Sequence, residues 1–365
     1  LLMQVLCVEH VLTVYGMTHV VLVYALLSRI LSVLCSVIPV IFFNTGVPGA
    51  IIGLTLASFG SFLVGMRLLT LPFKDVTRRK TDLTTADILR FSMPVFSSSL
   101  YGFVIGSASQ FFVSRYLGVE NFAMFANGYR ELPIAGIVIG AVAGILLPEF
   151  SRMTKGGSDS KQYLVLWKNV VLKSAAVIYP FSLYCCIFAP EIMGVLYGTV
   201  YREAADLFRI VTIINLVRIV PYGPIMFALG KGKIFAKAHL VTALLLLGLD
   251  FLCVTFFPSL SAIAIIATTT TVFCLVVLMV STARLLNTGL SRLMPWKSMF
   301  KILSVSTFSC FLGSCAVNLI GVTRDFPALL SGFLISIVIY LPLSYIAGIN
   351  YARLLKPLVS TNQRK

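Results

Sequence analysis

Runs of about twenty residues without a charge recur from one end of this chain to the other, and they leave it few ways to fold. Ile263 to Val280 is such a run. A bilayer hydrocarbon core about 30 Å thick is crossed by about 20 residues of helix, whereas a barrel strand crosses in alternating segments of about 10 residues. Runs that are apolar on every face therefore select helices. With 58% apolar and 12% charged residues and a mean hydropathy of +0.97, too little polar surface remains to wet a globule of 365 residues. The expected fold class is all-α, a polytopic transmembrane helix bundle.

Punctuation by Pro, Gly, Asn and charge predicts about ten complete spans, near residues 19–43, 47–69, 91–114, 121–148, 168–190, 204–228, 238–257, 260–283, 300–320 and 327–348. Residues 1–8 read as the end of an eleventh. When the connections alternate sides, 22 of the 29 Lys and Arg residues fall on one side. They include Arg78, Arg79 and Lys80, the group from Arg152 to Lys173, Lys231 to Lys237, Arg284 to Lys301, and Arg353, Lys356, Arg364 and Lys365. Basic loops mark the cytoplasmic face, so the C-terminus is expected there. The net charge of +16 is then an orientation signal with some attraction to anionic headgroups, and no nucleic-acid partner is expected.

Little points to catalysis. The histidines His10, His19 and His239 lie far apart without acidic companions, and no spacing suits a metal. Cys35, Cys185, Cys186, Cys253, Cys274, Cys310 and Cys315 sit inside apolar runs and read as packing thiols. The turn Gly230-Lys231-Gly232-Lys233 lacks the spacing of a phosphate loop. No catalytic residue, metal or cofactor is expected, and the chain is not read as an enzyme.

Charges inside the spans are more informative, because each costs at least about 2.5–3.5 kcal/mol at a helix centre unless it is paired or hydrated. Helical spacing puts Asn127, Arg130 and Glu131 on one face of the 121–148 span, with Arg130 roughly 13 Å from the outer end. Asn215, Arg218 and Tyr222 share a face of the 204–228 span in the same way. Arg209, nearer the outer interface, is read as snorkelling. Asp250, roughly 18 Å into its span, is the acid most isolated in lipid. Two readings stay open: these groups pair helix to helix, or they line one cationic cavity whose guanidinium forks suit phosphate oxygens. Asp250 or Glu131 is a candidate for a coupling cation or proton.

Gly136, Gly140 and Gly144, and Gly102 with Gly106, form small-residue stripes that let helices approach closely. Pro94, Pro133, Pro180 and Pro221 are positions where a span can bend and free backbone groups toward a cavity.

One window carries a family resemblance. Asp87-Ile88-Leu89-Arg90-Phe91-Ser92-Met93-Pro94 opens a span, and Tyr116-Leu117-Gly118-Val119-Glu120 closes it. Phe125-Ala126-Asn127-Gly128-Tyr129-Arg130-Glu131-Leu132-Pro133-Ile134 and Leu147-Pro148-Glu149-Phe150-Ser151-Arg152 follow. The window resembles the polysaccharide-biosynthesis flippases, the O-antigen transporters in particular, within the superfamily that includes multidrug and lipid II exporters. The resemblance implies two six-helix lobes, sometimes with two helices added at the end. On that plan the chain, which opens on Leu1 within an apolar run, is N-terminally incomplete by roughly three and a half helices. Residues 1–83 are a remnant of the first lobe, 84–285 the second lobe, and 286–365 two added helices with a cytoplasmic tail. The implied partner is a lipid-linked oligosaccharide of the undecaprenyl diphosphate type, moved from the inner to the outer leaflet of the bacterial inner membrane for lipopolysaccharide assembly, with membrane lipids around it. Its diphosphate would meet Arg130 and Arg218. The alternatives are a cation-coupled multidrug antiporter of the same fold, a membrane-embedded glycosyltransferase or ligase, and an inactive fragment.

Overall fold

The computed structural model describes residues 8–9, 11–13, 15–74, 84–131, 133–349 and 351. The span ending near residue 8, His10, Leu132 and the cations Arg78, Arg79, Lys80, Arg353, Lys356, Arg364 and Lys365 lie wholly or largely outside the described residues.

Helix is the only regular structure among the described residues. The helices are α1 (Thr18–Phe43), α2 (Gly46–Leu68), α3 (Thr85–Tyr116), α4 (Val119–Gly128), α5 (Pro133–Lys155), α6 (Ser160–Ile187), α7 (Ala189–Tyr197), α8 (Ala205–Thr212), α9 (Ile214–Val217), α10 (Gly223–Ala228), α11 (Gly232–Phe256), α12 (Leu260–Leu285), α13 (Leu290–Leu293), α14 (Trp296–Ile320) and α15 (Asp325–Ile346). Nine of them, among the described residues, are long and apolar enough to cross a membrane: α1, α2, α3, α5, α6, α11, α12, α14 and α15. Their outer faces carry large apolar side chains, with Leu319 88% and Ile346 79% exposed. Such faces are stable only against lipid, and the chain is a polytopic all-α membrane protein. Many helical hydroxyls bond back to their own backbone, as Thr242 does to the Ala238 carbonyl and Ser306 to that of Ile302, which leaves those groups satisfied without water.

The chain forms two compact units, Leu1–Thr84 and Thr85–Lys365. In the first, α1 and α2 pack along a stripe of small residues, Gly53, Ala57, Ser61 and Gly65, all buried and spaced by four. A Cβ on Gly53 would lie 1.7 Å from the Cys35 carbonyl oxygen, so only glycine allows this approach. The Tyr24 hydroxyl donates to the Ser61 carbonyl at 2.9 Å and fixes the register.

In the second unit α3 lies along α11, α12 along α8, and α14 against both α6 and α15. The core is built around Trp167, Phe125, Phe150, Ile178 and Ile214, each at most 2% exposed. Arg202 and Asp325 form an ion pair of 2.7 Å that ties the turn Thr199–Ala204 to the start of α15.

Four expectations change here. The 121–148 span is two helices, α4 and α5, interrupted between Gly128 and Pro133. The 204–228 span is three short helices, α8 to α10, interrupted from Arg218 to Tyr222. It still runs the length of α6: Arg209 Nε donates to the Cys186 carbonyl, the Tyr179 hydroxyl to the Leu216 carbonyl, and the Tyr222 ring meets Trp167. Those marks on α6 span about 28 Å, close to the thickness of a bilayer core. The stripe Gly136, Gly140 and Gly144 has nothing within 4 Å of where a Cβ would stand, and neither do Gly102 and Gly106. Close helix approach uses Gly53 and Gly128 instead. Arg209, read as snorkelling, is held by Asp206 at 2.8 Å as well as by the Cys186 carbonyl.

Candidate functional site

Both interruptions have local causes. Tyr129 leaves the helical region (φ −84°, ψ 58°), and Pro133 then starts α5, where its missing N–H is harmless. Arg218 departs in the same way (φ −87°, ψ 68°), and Pro221 cannot return a backbone hydrogen bond before α10 begins at Gly223. Carbonyls freed by such breaks must find donors inside the protein. The Tyr179 hydroxyl serves Leu216 at 3.0 Å; Thr268 Oγ1 on α12 also reaches the Ile210 carbonyl at 3.4 Å, which accepts from the Ile213 N–H as well. Thr268 also meets the Tyr129 hydroxyl at 3.0 Å, so one threonine joins both broken segments.

The breaks face each other. Arg218 Nη2 donates to Glu131 Oε2 at 2.5 Å, with side chains 25% and 47% exposed. Arg218 Nε is buried and has no hydrogen-bond partner among the described residues. Arg130 makes no ion pair among them. A cleft of about 750 Å³ opens beside these groups, with Asn127, Arg130, Glu131 and Arg218 on its wall together with Tyr129, Ser109, Gln110, His239, Thr242 and Thr271.

Asp250 stands behind this wall. It is fully buried, accepts a hydrogen bond of 2.7 Å from Ser109 Oγ, and leaves Oδ1 without a partner among the described residues. The surrounding faces are apolar: Leu246, one turn away, packs on Ala108 of α3 and Ala267 of α12.

The structure thus brings together four of the seven candidate residues, Asn127, Arg130, Glu131 and Arg218, and connects a fifth, Asp250, through Ser109. Asn215 and Tyr222 are corrected. Because the helix ends at Arg218, they no longer share its face. Asn215 is 0% and Tyr222 3% exposed, and the Tyr222 ring packs at a tilt 5.5 Å from Trp167 in the core. The shared face of Arg130 and Glu131 with Asn127 is likewise replaced by a non-helical break. Sequence reasoning missed Ser109, Gln110 and Tyr129. The first two had a visible signal: Gly102, Gly106, Ser109 and Gln110 recur at helical spacing, a small and polar face. It lines the cleft, and at Ser109 it also meets α11 through Asp250.

Among the described residues no group of three His, Cys, Asp or Glu could hold a metal, and the seven cysteines found there are all free.

Residues 8–206 match the family described as polysaccharide biosynthesis protein, a stretch that includes the first break and ends ahead of the second. No curated protein matches the chain, and no solved structure does. The match takes in more than half of the sequence, and the chain belongs to the polysaccharide biosynthesis protein family.

Proposed function

We propose that the chain is a flippase that moves a polyprenyl-diphosphate-linked oligosaccharide, of the undecaprenyl type, from the cytoplasmic to the outer leaflet of a bacterial inner membrane for O-antigen-like surface polysaccharide. The observation that carries the reading is the Arg218 guanidinium at a helix break, with one donor on Glu131 and its buried Nε unpaired, beside a 750 Å³ cleft that also holds Arg130. Two guanidiniums with free donors suit a diphosphate. Glu131 takes the place of the phosphate when the cleft is empty, so an arriving diphosphate competes with it and loosens the contact between the two broken segments. Helix breaks near mid-membrane are where transporters expose backbone and charge to substrate. Asp250, fully buried with a single hydroxyl donor from Ser109, is the coupling site in this reading. The basic connections set the C-terminus in the cytoplasm. Residues 84–285 serve as one lobe and 286–365 as an added helix pair.

The test is expression of the chain in a bacterium lacking its own O-antigen flippase, with a matching sugar repeat, scored as lipid-linked glycan on the outer leaflet. Glycan with the wild-type chain and none with Arg218→Ala at equal protein level supports the reading. No glycan from the wild-type chain, or equal glycan from both, overturns it.

A further inference from the structure

Asn127, Arg130 and Glu131 line a second cavity as well as the cleft. This one, of about 350 Å³, is walled almost wholly by apolar side chains, among them Phe181 of α6, Ile192 and Leu196 of α7, Phe208 of α8 and Leu329 of α15. The polar break therefore separates a polar space from an apolar one, and Arg130 borders both. The apolar space lies at one end of its helices: Cys185 on its wall is two residues from the end of α6, and Leu329 is about one turn from the start of α15. By the distribution of basic loops that end faces the outer leaflet.

A cavity with a guanidinium at its mouth and hydrocarbon walls matches an amphiphile whose anion stays outside while the first part of its chain goes in. Its volume is at the small end of ligand cavities, about 300–1,000 Å³, which suits a few carbons of an isoprenoid and not a whole polyprenyl chain. We propose that this cavity holds the first isoprenoid units of a polyprenyl diphosphate while the diphosphate lies against Arg130, which is on its wall. The inference rests on the flippase reading and adds to it a place for the lipid in the outer half of the protein, where the substrate is released.

The experiment compares binding of farnesyl diphosphate and inorganic pyrophosphate to the purified full chain in detergent, followed by labelling with a diazirine-bearing farnesyl diphosphate. Farnesyl diphosphate is expected to bind at least about tenfold tighter, since each methylene buried adds affinity. The label should fall on α6 and α7 between Phe181 and Leu196 and be displaced by unlabelled farnesyl diphosphate. Ile192→Phe, which fills the cavity, should remove the tenfold advantage and leave pyrophosphate binding intact. Equal affinity for the two ligands, label confined to other helices, or displacement by phosphatidylglycerol as effective as by farnesyl diphosphate overturns the inference and leaves the cationic cleft standing. Binding of neither ligand overturns the flippase reading and this inference with it.

Discussion

The Arg218 guanidinium and the Glu131 carboxylate meet at 2.5 Å, and each stands where a membrane-buried segment has stopped being helical. Neither residue belongs to a regular helix face. The pair is only partly buried, so it adds little to stability while it joins the two broken segments.

Removing the competitor separates binding from turnover. Glu131→Gln is expected to tighten pyrophosphate binding to the purified chain by about three- to tenfold, since Arg218 no longer has to release a charge. The same change should lower glycan translocation. Arg218→Lys should keep some binding and lose the bidentate fork. Calorimetric titration of the two variants checks both statements; unchanged affinity in Glu131→Gln would show that the carboxylate does not occupy the anion's place.

The second break depends on one hydroxyl. Tyr179→Phe deletes the donor to the Leu216 carbonyl and should destabilise the second unit by about 1–2 kcal/mol, the ordinary penalty for leaving a buried acceptor unpaired. Thermal unfolding in detergent, followed by tryptophan fluorescence, measures it through Trp167, which packs against Tyr222 at the same break.

Glycines that look alike in sequence should behave differently. A Cβ on Gly128 would meet the Ala204 Cβ at 2.8 Å and the Leu207 Cβ at 3.1 Å, whereas one on Gly140 meets nothing within 4 Å. Gly128→Ala is expected to cost about 1–3 kcal/mol through overpacking, and Gly140→Ala close to nothing. Comparing their melting temperatures with the wild type tests the assignment of close contact.

Asp250→Asn keeps an oxygen that can accept from Ser109 and removes the ability to exchange a proton. The variant should accumulate normally, and glycan translocation measured across external pH should lose its pH dependence. Ser109→Ala should retain a pH dependence, because the carboxyl is still present. A pH profile in Asp250→Asn indistinguishable from wild type would remove Asp250 from coupling.

Composition and run length by themselves determined that this chain is a set of membrane helices, because hydrophobicity over twenty residues depends on no neighbour. They also marked Arg130, Glu131 and Arg218 as charges that lipid does not tolerate alone. Periodicity then misplaced Asn215 and Tyr222, since counting at 3.6 residues per turn assumes a continuous helix and both segments are interrupted. Pro133 and Pro221 gave notice of a bend, yet whether a proline kinks a helix or ends it depends on donors elsewhere, at the second break the Tyr179 hydroxyl. The small-residue stripes show the same limit. Gly53, Ala57, Ser61 and Gly65 pack a helix pair, while Gly136, Gly140 and Gly144 at the same spacing have, among the described residues, nothing within 4 Å of where a Cβ would stand. Local chemistry decides which residues can cross a membrane or approach closely; only the tertiary structure decides which of them meet.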